Sequence, residues 1–208
     1  MTASYQQLLR LFEKELPGEK AHVSMYPSRS ASSTALKTAQ NVRLSAVAIV
    51  LYDTSEGLET LVIQRQQYDG THSGQISFPG GKWEESDPSA AFTARRECQE
   101  EIGIIPDELQ MVGKLTNVFV PVSSFLIEPY VFYWPEPHTR FLLSEREVAA
   151  VHRLPVRLLT DESIELIDIE ISGGQTLVNI PHFGIGTIKI WGATALILNE
   201  LREVLKDF

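Results

Sequence analysis

Runs of apolar residues divide the chain into strands and helices of ordinary length. Residues 44–52 (LSAVAIVLY) are almost continuously apolar, which is typical of a strand buried on both faces. A turn over 53–59 and a second apolar run at 60–64 (TLVIQ) predict a hairpin. Residues 126–134 (LIEPYVFYW) predict an aromatic strand, and 109–120 also have strand character. We therefore expect a sheet at the centre of the fold.

Helical spacing of apolar residues marks both ends of the chain. It runs over 4–16 and again in a closing helix from Ile190 through Leu205. Residues 19–42 are polar and rich in Ser, Thr and Ala, so we expect an irregular connection. The pattern predicts an N-terminal helix and connecting arm over 1–43 and one globular domain over 44–208.

Two local signals add elements to this outline. Residues 163–171 and 175–180 flank Gly173-Gly174 and predict a hairpin. Ser144-Glu145-Arg146-Glu147 has the spacing of a capping box, which predicts a short helix through Val151.

The candidate chemistry lies between Gly80 and Ile104. Asp87 or Ser89 can cap a helix there, and Gly103 can end it in the left-handed conformation. Cys98 lies on its small apolar stripe, so we interpret this single cysteine as a packing residue rather than a nucleophile.

Three carboxylates, Glu97, Glu100 and Glu101, fall at i, i+3 and i+4 of this helix and project from one face. Like charges at this spacing repel, and a divalent cation among them would remove the repulsion. Mg²⁺ and Mn²⁺ prefer such hard oxygen ligands and share their other sites with water and phosphate. A solvated acidic helix face is the alternative interpretation of the same residues.

A glycine, an acid and an R-E-x-x-E-E-x-G run together resemble the signature of the Nudix hydrolases. The matching positions are Gly81, Asp87, Arg96, Glu97, Glu100, Glu101 and Gly103. Asp87 takes the place of the usual Glu, and its interval to Arg96 is one residue longer than in the general pattern. The resemblance implies an α/β fold in which a mixed β-sheet is sandwiched between helices.

The longer interval is similar to that of one branch, the coenzyme A pyrophosphatases. That branch has an upstream loop ending in F-P-G-G, and an ending similar to Ile190-Trp191-Gly192-Ala193-Thr194-Ala195. Two positions depart from the upstream pattern, because Gln66 replaces a small residue and Gly70 replaces an arginine. The substrate-binding residues implied by the loop are Arg65, His72, Ser73, Gly74, Gly80 and Gly81.

The resemblance also implies roles for the acids. Glu97, Glu100 and Glu101 would bind Mg²⁺ or Mn²⁺, and Arg96 would orient a carboxylate. Glu147 has two interpretations: it completes the capping box, or, as an acid of this loop does in several Nudix relatives, it approaches the metal or activates the water. The general base stays open among Glu101, Glu100 and Glu147.

The expected reaction is hydrolysis of the diphosphate of coenzyme A or its derivatives to 4′-phosphopantetheine and adenosine 3′,5′-bisphosphate. Another substrate of the same type, such as ADP-ribose, NADH or a diadenosine polyphosphate, is the nearer alternative. A non-catalytic Nudix module that senses a nucleotide is the more distant one, because such modules tend to lose acids that this chain keeps.

The composition of the chain limits the classes of partner that it can bind. The chain has 208 residues with a net charge of −9, and the 18 Lys and Arg are outnumbered by 27 Asp and Glu. An acidic body does not suit non-specific nucleic-acid binding. The sequence has neither an apolar run of membrane-spanning length nor a signal-peptide pattern. We therefore expect a cytoplasmic enzyme for a small nucleotide substrate, with a homodimer left open.

Overall fold

The computed structural model describes residues 2–26, 31–67, 74–138, 140–159, 163–171 and 175–208. Its helices are α1 (Ala3–Phe12), α2 (Glu19–His22), α3 (Ser32–Leu36), α4 (Ala90–Ile102) and α5 (Gly192–Val204). Its strands are β1 (Arg43–Thr54), β2 (Gly57–Arg65), β3 (Ile76–Ser77), β4 (Gly80–Lys82), β5 (Gln110–Lys114), β6 (Val118–Val120), β7 (Phe125–Tyr133), β8 (Val148–Pro155), β9 (Ile164–Ile171), β10 (Gln175–Ile185) and β11 (Ile188–Ile190).

The first hairpin opens like a fork, and the fork positions the candidate site. Near the turn, β1 and β2 pair directly, from Thr54 opposite Gly57 to Leu51 opposite Thr60. Farther from the turn they separate, so that β1 pairs with β4 and β2 pairs with β3. The β3–β4 segment therefore fills the gap between the two strands and extends the sheet there.

The remaining strands of this sheet lie outside the fork. β7 runs parallel to β1 along Arg43 to Leu51, whereas β5 and β6 pair antiparallel with β7. β8 pairs antiparallel with the outer edge of β2. The sheet is thus mixed, and β9, β10 and β11 form a second, antiparallel sheet of three strands.

Each face of the large sheet carries its own apolar core. Ala46, Ala48 and Val50 of β1 pack with Ala94 and Cys98 of α4. On the opposite face, side chains of β1 pack with α1 and α5, including Ile49, Leu51, Leu8 and Leu198. Alternation along β1 explains this arrangement, because successive side chains of a strand point to opposite faces. The expected mixed sheet between helices is confirmed.

The N-terminal arm packs on the body of its own chain. Leu8 and Met25 are fully buried in the core that also contains α5. The buried carboxylate of Glu200 accepts hydrogen bonds from the Thr116 N–H (3.1 Å) and hydroxyl (2.7 Å), and lies 3.1 Å from Nε2 of His22. Burial would raise the pKa of Glu200, but these bonds from His22 and Thr116 outweigh it, and the pKa is lowered.

Three local predictions are wrong. Residues 144–151 do not form a helix: a turn ends at Glu147, and β8 begins at Val148 because it pairs with β2. The supposedly irregular residues 19–42 contain α2, α3 and a 3₁₀ turn over Val23–Met25. Ile190 belongs to β11, so α5 starts two residues later.

Among the residues that the structure describes, no helix has the length and apolar character needed to cross a bilayer.

The packing of the arm predicts that Leu8→Ala lowers the free energy of unfolding by about 2–5 kcal/mol, because a fully buried leucine leaves a cavity. Leu166→Ala is the matched control, since Leu166 is 64% exposed, and it should change stability by less than about 0.5 kcal/mol. Urea unfolding at several protein concentrations measures both. A midpoint that rises with concentration would contradict docking of the arm within one chain.

Candidate functional site

The guanidinium group of Arg96 is the centre of a cluster of carboxylates. Its Nε and Nη2 donate to the two oxygens of Asp87, each at 3.0 Å. Its Nη1 donates to Glu97 (2.9 Å) and Glu100 (3.0 Å), and Nη2 also donates to the carbonyl of Lys82 at 3.2 Å. One cation therefore compensates three acids and ties the loop after β4 to α4.

Asp87 is buried, and its carboxylate accepts hydrogen bonds from side-chain and backbone donors. Besides Arg96, the hydroxyl of Thr93 donates at 2.9 Å and the N–H of Glu84 at 3.1 Å. The bidentate Arg96 guanidinium holds the pKa of Asp87 at about 2, below its ordinary value of 3.8. Ser89, rather than Asp87, caps α4 by accepting from the N–H of Phe92. Asp87 thus anchors Arg96.

Glu101 turns inward, toward the fork between β1 and β2, and only 2% of it is exposed. Its Oε2 accepts the N–H of Gly80 at 2.9 Å, and its Oε1 lies 3.7 Å from Nη1 of Arg65. Burial raises the pKa of Glu101 to about 8; Gly80 and Arg65 oppose this, whereas Glu97 and Glu147 add to it. Any further cation that approaches this buried carboxyl group would stabilise its ionised form.

The glycine pair after Pro79 makes room for these groups. A Cβ at Gly80 would overlap the backbone of β1 at Ala46 and Val47, so β4 could not pair there. A Cβ at Gly81 would overlap the carboxylate of Glu97. The backbone contact makes glycine necessary at position 80, whereas a side chain at position 81 would displace the carboxylate of Glu97.

The three acids of α4 have different environments. Glu101 is buried, the side chain of Glu97 is 16% exposed and that of Glu100 is 55% exposed. Burial raises the pKa of Glu97, and the charges of Glu100 and Glu147 add to this, while Arg96 opposes it. The exposure of the three acids therefore increases from Glu101, next to the sheet, through Glu97 to Glu100 at the surface.

Glu147 lies near this group, although it belongs to a different segment of the chain. It is exposed, and its Oε2 accepts the hydroxyl of Ser144 at 3.3 Å. The turn that carries it is bonded to α4, because the Ser144 N–H donates to the carbonyl of Glu101 at 3.0 Å. Its charge acts on Glu97 and Glu101, which places Glu147 beside the acids of α4.

The implied substrate loop is described at its two ends. Arg65 closes β2, and its N–H donates to the carbonyl of Gln75 at 3.0 Å. Gly74 has a φ of +66°, and its N–H donates to the carbonyl of Gln66 at 3.2 Å. The predicted binding residues His72 and Ser73, and the departing position Gly70, lie outside the described residues.

The donors suit a hard divalent cation by their chemistry, since Glu97, Glu100 and Glu101 offer carboxylate oxygens and the charge of Glu101 needs compensation. The structure does not bring them into a finished ligand set. Within the described part of the chain, no group of three His, Cys, Asp or Glu side chains is close enough to hold a metal ion. Glu97 and Glu100 are instead bonded to Arg96.

Sequence reasoning missed one contributor, the side chain of Gln66. In the sequence Gln66 stands out only as a departure from a small residue, yet its Nε2 donates to the carbonyls of Glu145 (3.0 Å) and Val148 (3.3 Å). The two partners lie 79 and 82 residues away along the chain, so the local sequence carries no signal for them.

Both the sequence and the fold are similar to those of known proteins. The NUDIX domain model matches residues 42–171. The uncharacterized Nudix hydrolase NudL of Citrobacter koseri is 35% identical over 77% of this chain and 82% of the relative. Nudix hydrolase 22, chloroplastic, of Arabidopsis thaliana is 33% identical over 77% of this chain, which spans 55% of that protein.

Two solved structures share the fold at low sequence identity. The Nudix hydrolase RenU from M. smegmatis superimposes with a TM-score of 0.54, at 14% identity, over 78% of this chain and 84% of that chain. A MutT/nudix family protein from Enterococcus faecalis gives a TM-score of 0.51, at 14% identity, over 99% of this chain and 76% of that chain. At this identity the two structures support the fold alone.

The bonding of Asp87 predicts a pH-dependent loss of stability in Asp87→Asn. Above about pH 5 the substitution should lower the free energy of unfolding by about 2–3 kcal/mol, because a charge-assisted bidentate pair is lost from a buried position. Since the folded state holds the pKa of Asp87 near 2, below its ordinary 3.8, the wild-type advantage falls as the pH drops through that interval.

Urea unfolding at pH 7, 4 and 3 measures this difference. Glu85→Gln removes an exposed acid of the same loop and serves as the control, with a change expected within about 0.5 kcal/mol. A difference between wild type and Asp87→Asn that stays constant from pH 7 to 3 would show that the charge of Asp87 is not what stabilises the cluster.

Proposed function

Because this chain belongs to the NUDIX domain family, we propose that it is a divalent-metal-dependent pyrophosphatase that cleaves the diphosphate of coenzyme A or its derivatives. The supporting observation is the meeting of Arg65, the buried Glu101 and the acidic face of α4 at the fork between β1 and β2. A cationic group and carboxylates in one place suit a diphosphate that arrives with metal ions.

The preference for coenzyme A rests on two patterns in the sequence, and the structure adds a contact between them. The F-P-G-G segment leads into β4, where Phe78 is buried in the core and the carbonyl of Pro79 accepts the N–H of Ala48. The hydroxyl of Thr194, from the I-W-G-A-T-A ending, donates to the carbonyl of Ile76 at 3.1 Å. The two resembling segments therefore belong to one local arrangement.

Glu97, Glu100 and Glu101 would hold Mg²⁺ or Mn²⁺, as ions of this kind are used by Nudix hydrolases in general. An ion held by these residues would supply positive charge toward the diphosphate and would make a water molecule more acidic. Arg96 would release or share Glu97 and Glu100 when these acids become ligands, while its bidentate bond to Asp87 keeps it in place.

In the proposed reaction, the oxygen of water forms a bond to one phosphorus while the bond from that phosphorus to the bridging oxygen breaks. The second phosphate leaves with the bridging oxygen, and a carboxylate takes the proton of the water. Glu101, Glu100 and Glu147 are the candidates for that carboxylate. Arg65 would bind a phosphate oxygen of the substrate. The expected products are 4′-phosphopantetheine and adenosine 3′,5′-bisphosphate.

The deciding experiment is product analysis by mass spectrometry. The protein is incubated with coenzyme A, ADP-ribose or NADH, each with Mg²⁺ or Mn²⁺. We expect phosphopantetheine from coenzyme A and slow turnover of the others. Cleavage of ADP-ribose or NADH alone would retain the Nudix chemistry and reject coenzyme A as the substrate.

Variants of the acids test the site itself. Glu100→Gln and Glu101→Gln should each lower kcat by about 100-fold or more, because a ligand to the reacting centre is lost. Glu85→Gln, an exposed acid before the helix, is the charge-matched control and should keep wild-type turnover. Full metal-dependent turnover in both variants of α4 would reject the assignment. Binding of Mn²⁺, measured by calorimetry, separates lost ligands from a lost substrate contact.

A further inference from the structure

We propose that Gln66 is a positioning residue that fixes the Glu147 turn, residues 144–148, beside the carboxylates of α4. This inference deepens the proposed function, on which it rests. It concerns how the chain holds an acid that belongs to a loop rather than to α4.

Gln66 contacts the turn through both its side chain and its backbone. The amide Nε2 donates to the carbonyls of Glu145 at 3.0 Å and Val148 at 3.3 Å. The backbone N–H donates to the carbonyl of Glu147 at 2.9 Å. Three hydrogen bonds from one residue thus reach three of the five residues of the turn, and they fix its distance from β2.

The other end of the turn is fixed to α4. The Ser144 N–H donates to the carbonyl of Glu101 at 3.0 Å, and the Leu142 N–H donates to that of Ile102 at 3.1 Å. The Glu147 turn therefore spans from the acidic helix to the end of β2. Within it, the N–H groups of Glu147 and Val148 both donate to the carbonyl of Ser144, at 3.0 and 2.9 Å.

The Glu147 turn needs these hydrogen bonds because the strand pairing beside it is irregular. Pairing between β2 and β8 is regular up to Gln64 opposite Ala150, and then shifts so that Arg65 lies opposite Val148. An irregularity of this kind weakens the ladder where Glu147 leaves it. The side chain of Gln66 supplies bonds that the ladder lacks at this point, and a serine or alanine at position 66 has too short a side chain to replace them.

The same geometry gives Gln66 a role other than substrate contact. Both hydrogens of its amide are used on main-chain carbonyls. The departure of position 66 from the resembling pattern is then a feature of the turn, and it does not by itself argue for a different substrate.

The test is a double-mutant cycle between Gln66→Met and Glu147→Gln. Methionine keeps the length of the side chain but cannot donate, so packing is disturbed little. Gln66→Met alone should lower kcat roughly 10- to 100-fold with KM within about twofold, because Glu147 is displaced but the substrate site is intact. In the Glu147→Gln background the same substitution should lower kcat by less than about twofold.

Gln67→Met is the matched control, since Gln67 is the exposed glutamine next along the chain, and it should leave kcat unchanged. The cycle uses whichever diphosphate the wild type cleaves fastest. A coenzyme A result that rejects the proposed substrate therefore leaves this test intact. Equal losses from Gln66→Met in both backgrounds would show a merely structural role and overturn the proposal.

Hydrogen exchange gives a readout that does not need turnover. In Gln66→Met, the amides of Glu147 and Val148 should exchange at least about fivefold faster, whereas those of α4 should keep their rates. Unchanged exchange in the Glu147 turn would overturn the proposal even if kcat fell. Gln66→Ala provides a second variant if the methionine substitution proves unstable.

Discussion

The candidate site depends on one interaction, the bidentate pairing of Arg96 with Asp87. Three carboxylates on neighbouring turns of a helix repel each other, and the guanidinium of Arg96 bonds to two of them, Glu97 and Glu100. Arg96 can serve that purpose only if it is itself held, and Asp87 holds it with both oxygens. The pairing is directional, because the planar guanidinium of arginine matches both oxygens of a carboxylate in one orientation.

The second constraint is the fork between β1 and β2. Where these strands separate, β3 and β4 supply the missing backbone partners, which a buried sheet requires. The same segment donates the Gly80 N–H to Glu101 and leaves space beside Gly81 for Glu97. The pairing of β4 with β1 and the placement of these carboxylates therefore depend on the same two glycines. This explains why Gly80 and Gly81 lie beside the acidic face of α4.

Elements with strong local patterns could be predicted from the sequence. The buried run of β1, the hairpin to β2 and the caps of α4 at Ser89 and Gly103 all follow from local chemistry. The predictions for 144–151 and 19–42 were wrong because distant contacts decide those segments. Pairing with β2 makes a strand of the residues after Glu147, although Ser144 and Glu147 have capping-box spacing. The contact of His22 with Glu200 holds α2, and it spans 178 residues.

The departures from the family pattern are where structure adds most to sequence. Asp87 is one methylene shorter than the expected glutamate, and the interval to Arg96 is one residue longer. In this structure Asp87 also accepts hydrogen bonds from the hydroxyl of Thr93 in α4 and from the N–H of Glu84 in the preceding loop. The shorter acid then reaches Arg96 with both oxygens at 3.0 Å. The pair is therefore complete in this chain although its acid and its spacing depart from the general pattern, and only the three-dimensional contacts of Asp87, not the sequence interval, reveal that.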